Sequence, residues 1–238
     1  MAARARDGSG TNVTWTFADA TGWTQHAPGV GGLMLATAYH RASRRIFVNA
    51  TETLHIYDVD GDSWSQAPGF RYKPYWPRCT GSDRTAAIDP RRGLFWSVGS
   101  KMVLVWDIAS GKAVTDDWKT TGGGDYTNEA KVMPTYPAQL FESGGGDIYD
   151  ASAPGFDYDS ASDELVAWPN RGAPYALDLD AKTWSAGSAT GAPESKNSGG
   201  TYGRWRYARE YNVFILVNSV DENVHFYKHT EGCGPARP

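Results

Sequence analysis

A repeated phrase constrains this chain more than any other feature of it. Leu54-His55-Ile56-Tyr57-Asp58-Val59-Asp60-Gly61-Asp62-Ser63-Trp64 returns as Tyr175-Ala176-Leu177-Asp178-Leu179-Asp180-Ala181-Lys182-Thr183-Trp184. A worn copy, Val103-Leu104-Val105-Trp106-Asp107-Ile108-Ala109-Ser110-Gly111-Lys112, lies between them. Each reads as a β-strand, a polar turn and the start of a second strand, with an aromatic or aliphatic residue before the Asp. Repetition at a period of about 20–50 residues points to solenoids or propellers.

The match extends upstream. Ala38–Val48 precedes the first copy, Ala87–Trp96 the second and Phe156–Trp168 the third. A fourth copy ends the chain, with Arg206–Val217 followed by Asn223–Tyr227. Every unit reads strand, polar turn, apolar strand, short loop, strand, Asp-containing turn, strand, and short β-rich runs between Gly, Asp, Asn and Pro are the mark of antiparallel meanders. No window of helical period reaches ten residues. The expected class is all-β, and the expected architecture is a β-propeller of four blades of four antiparallel strands.

The blades fall near residues 30–67, 84–120, 154–187 and 203–228 plus 12–27. The last unit stops after its third strand, while Val13–Phe17 and Gly22–His26 resemble the second half of a blade. Ring closure by the N-terminal strand is therefore expected, since borrowing a strand leaves no exposed edge. One strand more than closure needs is present, so either Val13–Phe17 is extra or the natural ring is larger. The domain is placed at 12–230, with 1–11 a disordered or vector-derived start and 231–238 a tail.

The Tyr/Leu-Asp-x(4)-Trp phrase resembles the kelch repeat, the blade unit of kelch proteins and galactose-oxidase-like propellers. The resemblance covers about three of the four units. It departs from the family at the Gly-Gly doublet of the second strand, where Val48-Asn49 and Trp168-Pro169 stand. It implies a fold and no activity, because kelch-like propellers include binding modules, oxidases and lyases.

With 238 residues and 13% aromatics, one all-β domain can bury a substantial core. A net charge of −4 argues against nucleic acid as partner. No apolar run approaches the roughly 20 residues of a membrane helix, so no membrane insertion is expected. Ten tryptophans, 27 glycines and few lysines fit an extracellular or periplasmic protein facing a glycan, although this chain shows no signal peptide. Most of those tryptophans occupy repeat positions and are assigned to packing. Cys79 and Cys233 either pair or remain free thiols.

With the repeat subtracted, the non-repeating loops remain as sites. The 68–84 loop interleaves Arg71, Lys73, Arg78 and Arg84 with Tyr72, Tyr75 and Trp76. Aromatic faces stack on sugar rings, and Arg grips carboxylate or sulfate. The 120–153 connection adds Tyr126, Glu129 and Lys131, and the loops opening on the same face add Arg171, Arg204, Asn218 and Asp221. These define an expected ligand-binding face for a glycan, possibly acidic, or for a protein. The alternative packs the aromatics over the propeller mouth and pairs the arginines locally.

Two further classes stay open. A lyase on a uronate-containing polysaccharide would draw on Tyr72, Lys73, Arg78 and Tyr126 for charge neutralisation and proton abstraction. A structural module of a larger protein is the other. Asp58, Asp60 and Asp62 have the alternate spacing of calcium ligands, but no Glu closes the loop, and the favoured reading is a tight Asp-Gly turn that needs no metal. No cofactor is expected. His55 and His225 are assigned to packing between units, His40 to a strand turn and His229 to solvent.

Overall fold

The computed structural model describes residues 2–6, 12–18, 20–30, 36–50, 53–67, 83–100, 102–111 and 145–232. The protein is all-β. Its described strands form five small antiparallel sheets, an arrangement compatible with a propeller-like fold. The N-terminal sheet comprises β1 (Ala2–Arg6), β2 (Asn12–Ala18) and β3 (Gly22–Pro28). The second comprises β4 (Ala36–His40), β5 (Arg45–Ala50), β6 (Thr53–Asp58) and β7 (Ser63–Gln66). The third holds β8 (Thr85–Asp89), β9 (Leu94–Gly99) and β10 (Met102–Asp107). After a one-turn helix α1 (Gly146–Asp150), the fourth holds β11 (Gly155–Asp159), β12 (Glu164–Trp168), β13 (Tyr175–Asp178) and β14 (Thr183–Ala186). The fifth holds β15 (Trp205–Ala208), β16 (Val213–Leu216) and β17 (His225–Tyr227).

Local chemistry explains why the units repeat. The hairpin between first and second strands ends each time on a left-handed residue: Arg44, Gly93, Asp163 and Asn212, at φ 51°, 66°, 61° and 49°. The repeated Asp folds the later turn. Asp58 Oδ1 accepts the amides of Asp60 and Gly61 at 3.1 and 2.9 Å, and Asp178 Oδ1 those of Asp180 and Ala181 at 2.9 and 2.8 Å. A side chain bonding the backbone two and three residues on closes the turn without further partners. The two turns then end on left-handed Asp62 and Lys182.

Strand alternation makes each sheet two-faced. Phe95 packs with Phe47, Ala38 and Leu104 between the second and third sheets. Its neighbour Trp96 packs with Val105, Phe156 and Leu165 between the third and fourth. Trp168, Ala176, Trp205 and Phe214 fill the space between the fourth and fifth. The first strands touch in chain order, β4 on β8, β8 on β11 and β11 on β15.

The N-terminal strands correct the expected closure. They do not complete the last sheet: β2 pairs with β3 on one side and β1 on the other, giving five sheets where four blades were expected. Phe17 and Trp23 meet as tilted rings at 5.3 Å, as Tyr57 and Trp64 do at 5.1 Å, so the β2–β3 hairpin packs its aromatics as the β6–β7 hairpin does. The sheet rests on the second one instead. The His26 ring lies 5.8 Å from that of Tyr57, and its Nδ1 lies 3.4 Å from Asp62. Among the described strands β1 and β3 each keep one unpaired edge, and neither pairs with the fifth sheet. In that sheet Lys228 stands where Asp58 and Asp178 fold the turn toward a fourth strand.

Candidate functional site

The side-by-side first strands leave a cavity of about 720 Å³ along the line where they meet. Ala38, Ala87 and Ile88 give it apolar walls, and its polar groups come from strand ends and the following turns. From β4 and its turn come Tyr39, His40 and Arg41; from β11, Asp157 and Tyr158; from β15 and its turn, Arg206, Tyr207 and Arg209. Three guanidinium groups face one carboxylate, so the cavity is electropositive within a chain of net charge −4.

Asp157 is the group with most at stake. Its Oδ1 accepts the Tyr158 amide at 2.9 Å and its Oδ2 the Tyr207 amide at 2.9 Å, with Arg206 Nη1 3.8 Å away. Burial raises its pKa above the ordinary carboxylate value; Arg206 and the two amides pull the other way. The side chain keeps 22% of its surface exposed, so the raised value reflects crowding at the cavity wall and not complete exclusion from water. A carboxyl-carbon NMR titration should place the Asp157 midpoint above that of a free aspartate. A midpoint at or below it would mean that Arg206 outweighs burial.

The tyrosines serve as walls. Tyr158 donates its hydroxyl to Asp163 Oδ1 at 2.6 Å, and Tyr207 donates to Asn212 Oδ1 at 2.8 Å. Both phenols are held well above their ordinary pKa, chiefly by burial and then by a neighbouring carboxylate. Behind Tyr158 lies a charge cluster joining two sheets. Arg92 bonds Asp89 at 3.2 Å, Asp163 at 3.0 Å and Asp180 at 2.7 Å, and Arg91 also bonds Asp163. The Arg92 hydrogen bonds carry the Asp163 carboxyl down to about 2.

The residues expected from the sequence to bind ligand are distributed differently. Arg71, Tyr72, Lys73, Tyr75, Trp76, Arg78, Tyr126, Glu129 and Lys131 lie outside the described residues, as do Cys79 and Cys233. Arg84 is buried just before β8. Arg204 turns inward: Nε reaches Thr201 O at 3.1 Å, Nη1 Asn218 O at 2.5 Å and Nη2 Gly200 O at 2.6 Å. Asn218 is buried, donating to Glu194 O at 2.9 Å and accepting the Lys196 amide at 3.2 Å. These two hold loops together. Arg171 and Asp221 are exposed.

The acidic triplet separates. Asp58 folds its turn and pairs with Arg45, Asp60 pairs with Arg44, and Asp62 accepts the Tyr57 hydroxyl at 2.7 Å. Among the described residues no three His, Cys, Asp or Glu side chains gather as a metal site requires. His229, expected in solvent, is half-buried with Nε2 2.7 Å from Glu164 Oε2. No protein-family model matches the chain, and no curated protein matches it either.

The cavity residues were missed because they sit inside the repeat. Tyr39, Ile88, Tyr158 and Tyr207 occupy the same strand position, and removing the repeat as scaffold removed them with it. The available signal was the departure within that frame: Asp157 and Arg206 stand where Ala38 and Ala87 stand in the other two units.

Proposed function

We propose that this chain is a recognition module built from kelch-like blades in a propeller-type arrangement, and that it binds an acidic glycan through the cavity among its first strands. The observation carrying this reading is the lining: Arg41, Arg206 and Arg209 beside the rings of Tyr39, Tyr158 and Tyr207. Guanidinium groups grip uronate carboxylate or sulfate in a fork, while aromatic faces stack on the C–H face of a sugar. Asp157, between two backbone amides, has lone pairs left for sugar hydroxyls. The 68–84 loop, basic and aromatic in composition, is proposed to extend the contact. An extracellular or periplasmic location suits such a ligand and is part of the proposal.

The phenols of Tyr158 and Tyr207 are poorly placed to act as elimination bases, because their hydroxyls already donate to Asp163 and Asn212 with their pKa values raised; a lyase would have to draw on the His40 imidazole, whose pKa burial lowers. The test is calorimetric titration with uronate and sulfated oligosaccharides, alongside ultraviolet detection of unsaturated products. Arg206→Ala with Arg209→Ala should weaken binding by roughly a hundredfold, each charge-assisted bond being worth about 1.5 kcal/mol or more. Binding should also fall steeply with salt. Equal affinity in the double variant would overturn the assignment of this cavity, and an unsaturated product would favour the lyase.

A further inference from the structure

The same row of side chains crosses each sheet, and the next sheet in the chain covers it. Ala38, Phe47 and Ile56 stand side by side across β4, β5 and β6, packed under the third sheet. Ala87, Trp96 and Val105 repeat the row under the fourth sheet, and Val166 and Ala176 continue it under the fifth. In the fifth sheet the row is Arg206, Ile215 and Phe226, which the register makes direct cross-strand neighbours. At its third-strand position Val105 and Ala176 are 0% and 2% exposed, whereas Phe226 is 67% exposed.

The covering side of a sheet is equally regular. A third-strand apolar residue pairs there with the fourth-strand tryptophan: Leu177 and Trp184 pack toward the third sheet, and Tyr57 pairs with Trp64 on the side that receives His26. In the first sheet the corresponding pair is Phe17 and Trp23. Thr16 faces the opposite way from Phe17 and meets His26 at 2.6 Å, and His26 seats on Tyr57, so the Phe17–Trp23 side looks away from the second sheet. Trp184 is 4% exposed, but Trp23 is 52% exposed. The described sheets thus leave over one face of each kind, a row to be covered and a tryptophan that covers.

We propose that a second copy of this chain covers the fifth sheet, laying its Trp23 over Ile215 and Phe226. A chain's own first sheet does not do so: His26 seats it on the second sheet, and both Trp23 and Phe226 stay in water. The two faces complement each other because, at each internal junction, a row of this kind already meets the covering side of the next sheet. They are different surfaces, so the contact is head-to-tail, and two copies that each cover the other's fifth sheet form the smallest closed assembly.

Sedimentation velocity of the full chain over a range of concentrations should show a rise from monomer to dimer. Trp23→Glu and Phe226→Lys change exposed side chains and should leave the circular dichroism and melting curve in place. Each should weaken association at least about thirtyfold, since aromatic anchors carry most of the energy of such contacts. Mixing the two folded variants should restore the dimer. One contact then keeps both aromatics, and the other sets the new Glu against the new Lys. A wild-type chain that stays monomeric, association indifferent to Trp23→Glu (as when fifth sheets meet each other), or a mixture that stays monomeric would overturn the proposal.

Discussion

Gly200→Ala should lower the stability of the fold sharply. Gly200 sits at φ 107°, a conformation that side chains disfavour, and a Cβ there would lie 2.0 Å from the Ser152 carbonyl oxygen and 2.9 Å from that of Ala153. Both obstacles are backbone, so no rotamer change relieves them. The same stretch is tied on every side. Thr201 and Tyr202 donate their amides to Ala153 O at 2.8 and 3.0 Å, Asn170 donates to Ser152 O at 2.7 Å, and Tyr202 donates its hydroxyl to Asp83 at 2.6 Å. This knot joins the approaches to β8, β11 and β15, so moving Gly200 away means breaking several bonds at once. A loss of about 4 kcal/mol or more is expected, or about 10 °C in Tm. Gly191→Ala is the control, because its φ of 69° is also positive but nothing lies within 4 Å of the new Cβ. It should cost about 1 kcal/mol. Melting curves that fail to separate the two variants would refute the close approach.

The second large effect is expected at Arg92. Arg92→Met keeps the length of the stem but leaves Asp89, with 0% side-chain exposure, without its cation, and Asp163, with 21%, with Arg91 alone. Removing one partner of a buried pair typically costs about 3–5 kcal/mol. Asp180 is 81% exposed and adds little, so a loss of about 2–4 kcal/mol is expected by urea titration. The pH dependence gives the sign. The folded-state pKa of Asp163 is about 2, below its ordinary value, so its contribution is present above about pH 4 and fades as pH falls toward 2. That contribution is roughly 2 kcal/mol. The wild-type protein should therefore lose stability steeply across this window, and Arg92→Met should show a flatter acid limb. Parallel acid limbs would mean that the Arg92–Asp163 pair does not set the shift.

What the amino-acid order reveals here is whatever a few neighbouring residues decide. The turns at Asp58 and Asp178 were readable because the carboxylate bonds amides two and three positions away. The strands were readable because apolar residues alternate. The partners of those strands were not. Val13–Phe17 carries the pattern of a blade's third strand, but its pairing with Ala2–Arg6 and the seating of His26 on Tyr57 depend on contacts far along the chain. Asp157 shows the same limit. In the sequence it is one polar residue in Phe156-Asp157-Tyr158, set apart from a solvent-facing strand position only by standing where Ala38 and Ala87 stand in other units. Only the convergence of β4, β8, β11 and β15 makes it the carboxylate of a basic cavity. Arg204 erred in the opposite direction, since a loop arginine among aromatics looks ligand-seeking until three carbonyls are found around it.

The two-faced sheets have a consequence for how such a chain tolerates change over evolutionary time. Phe95 and Trp96 are adjacent in β9, yet one belongs to the core before the third sheet and the other to the core after it. Deleting one residue there would exchange both sets of side chains together and misfit two interfaces at once. Substitutions can therefore accumulate one interface at a time, whereas length changes are confined to the connections. The descendants of such a chain should differ in the size of their loops far more than in the length of their strands.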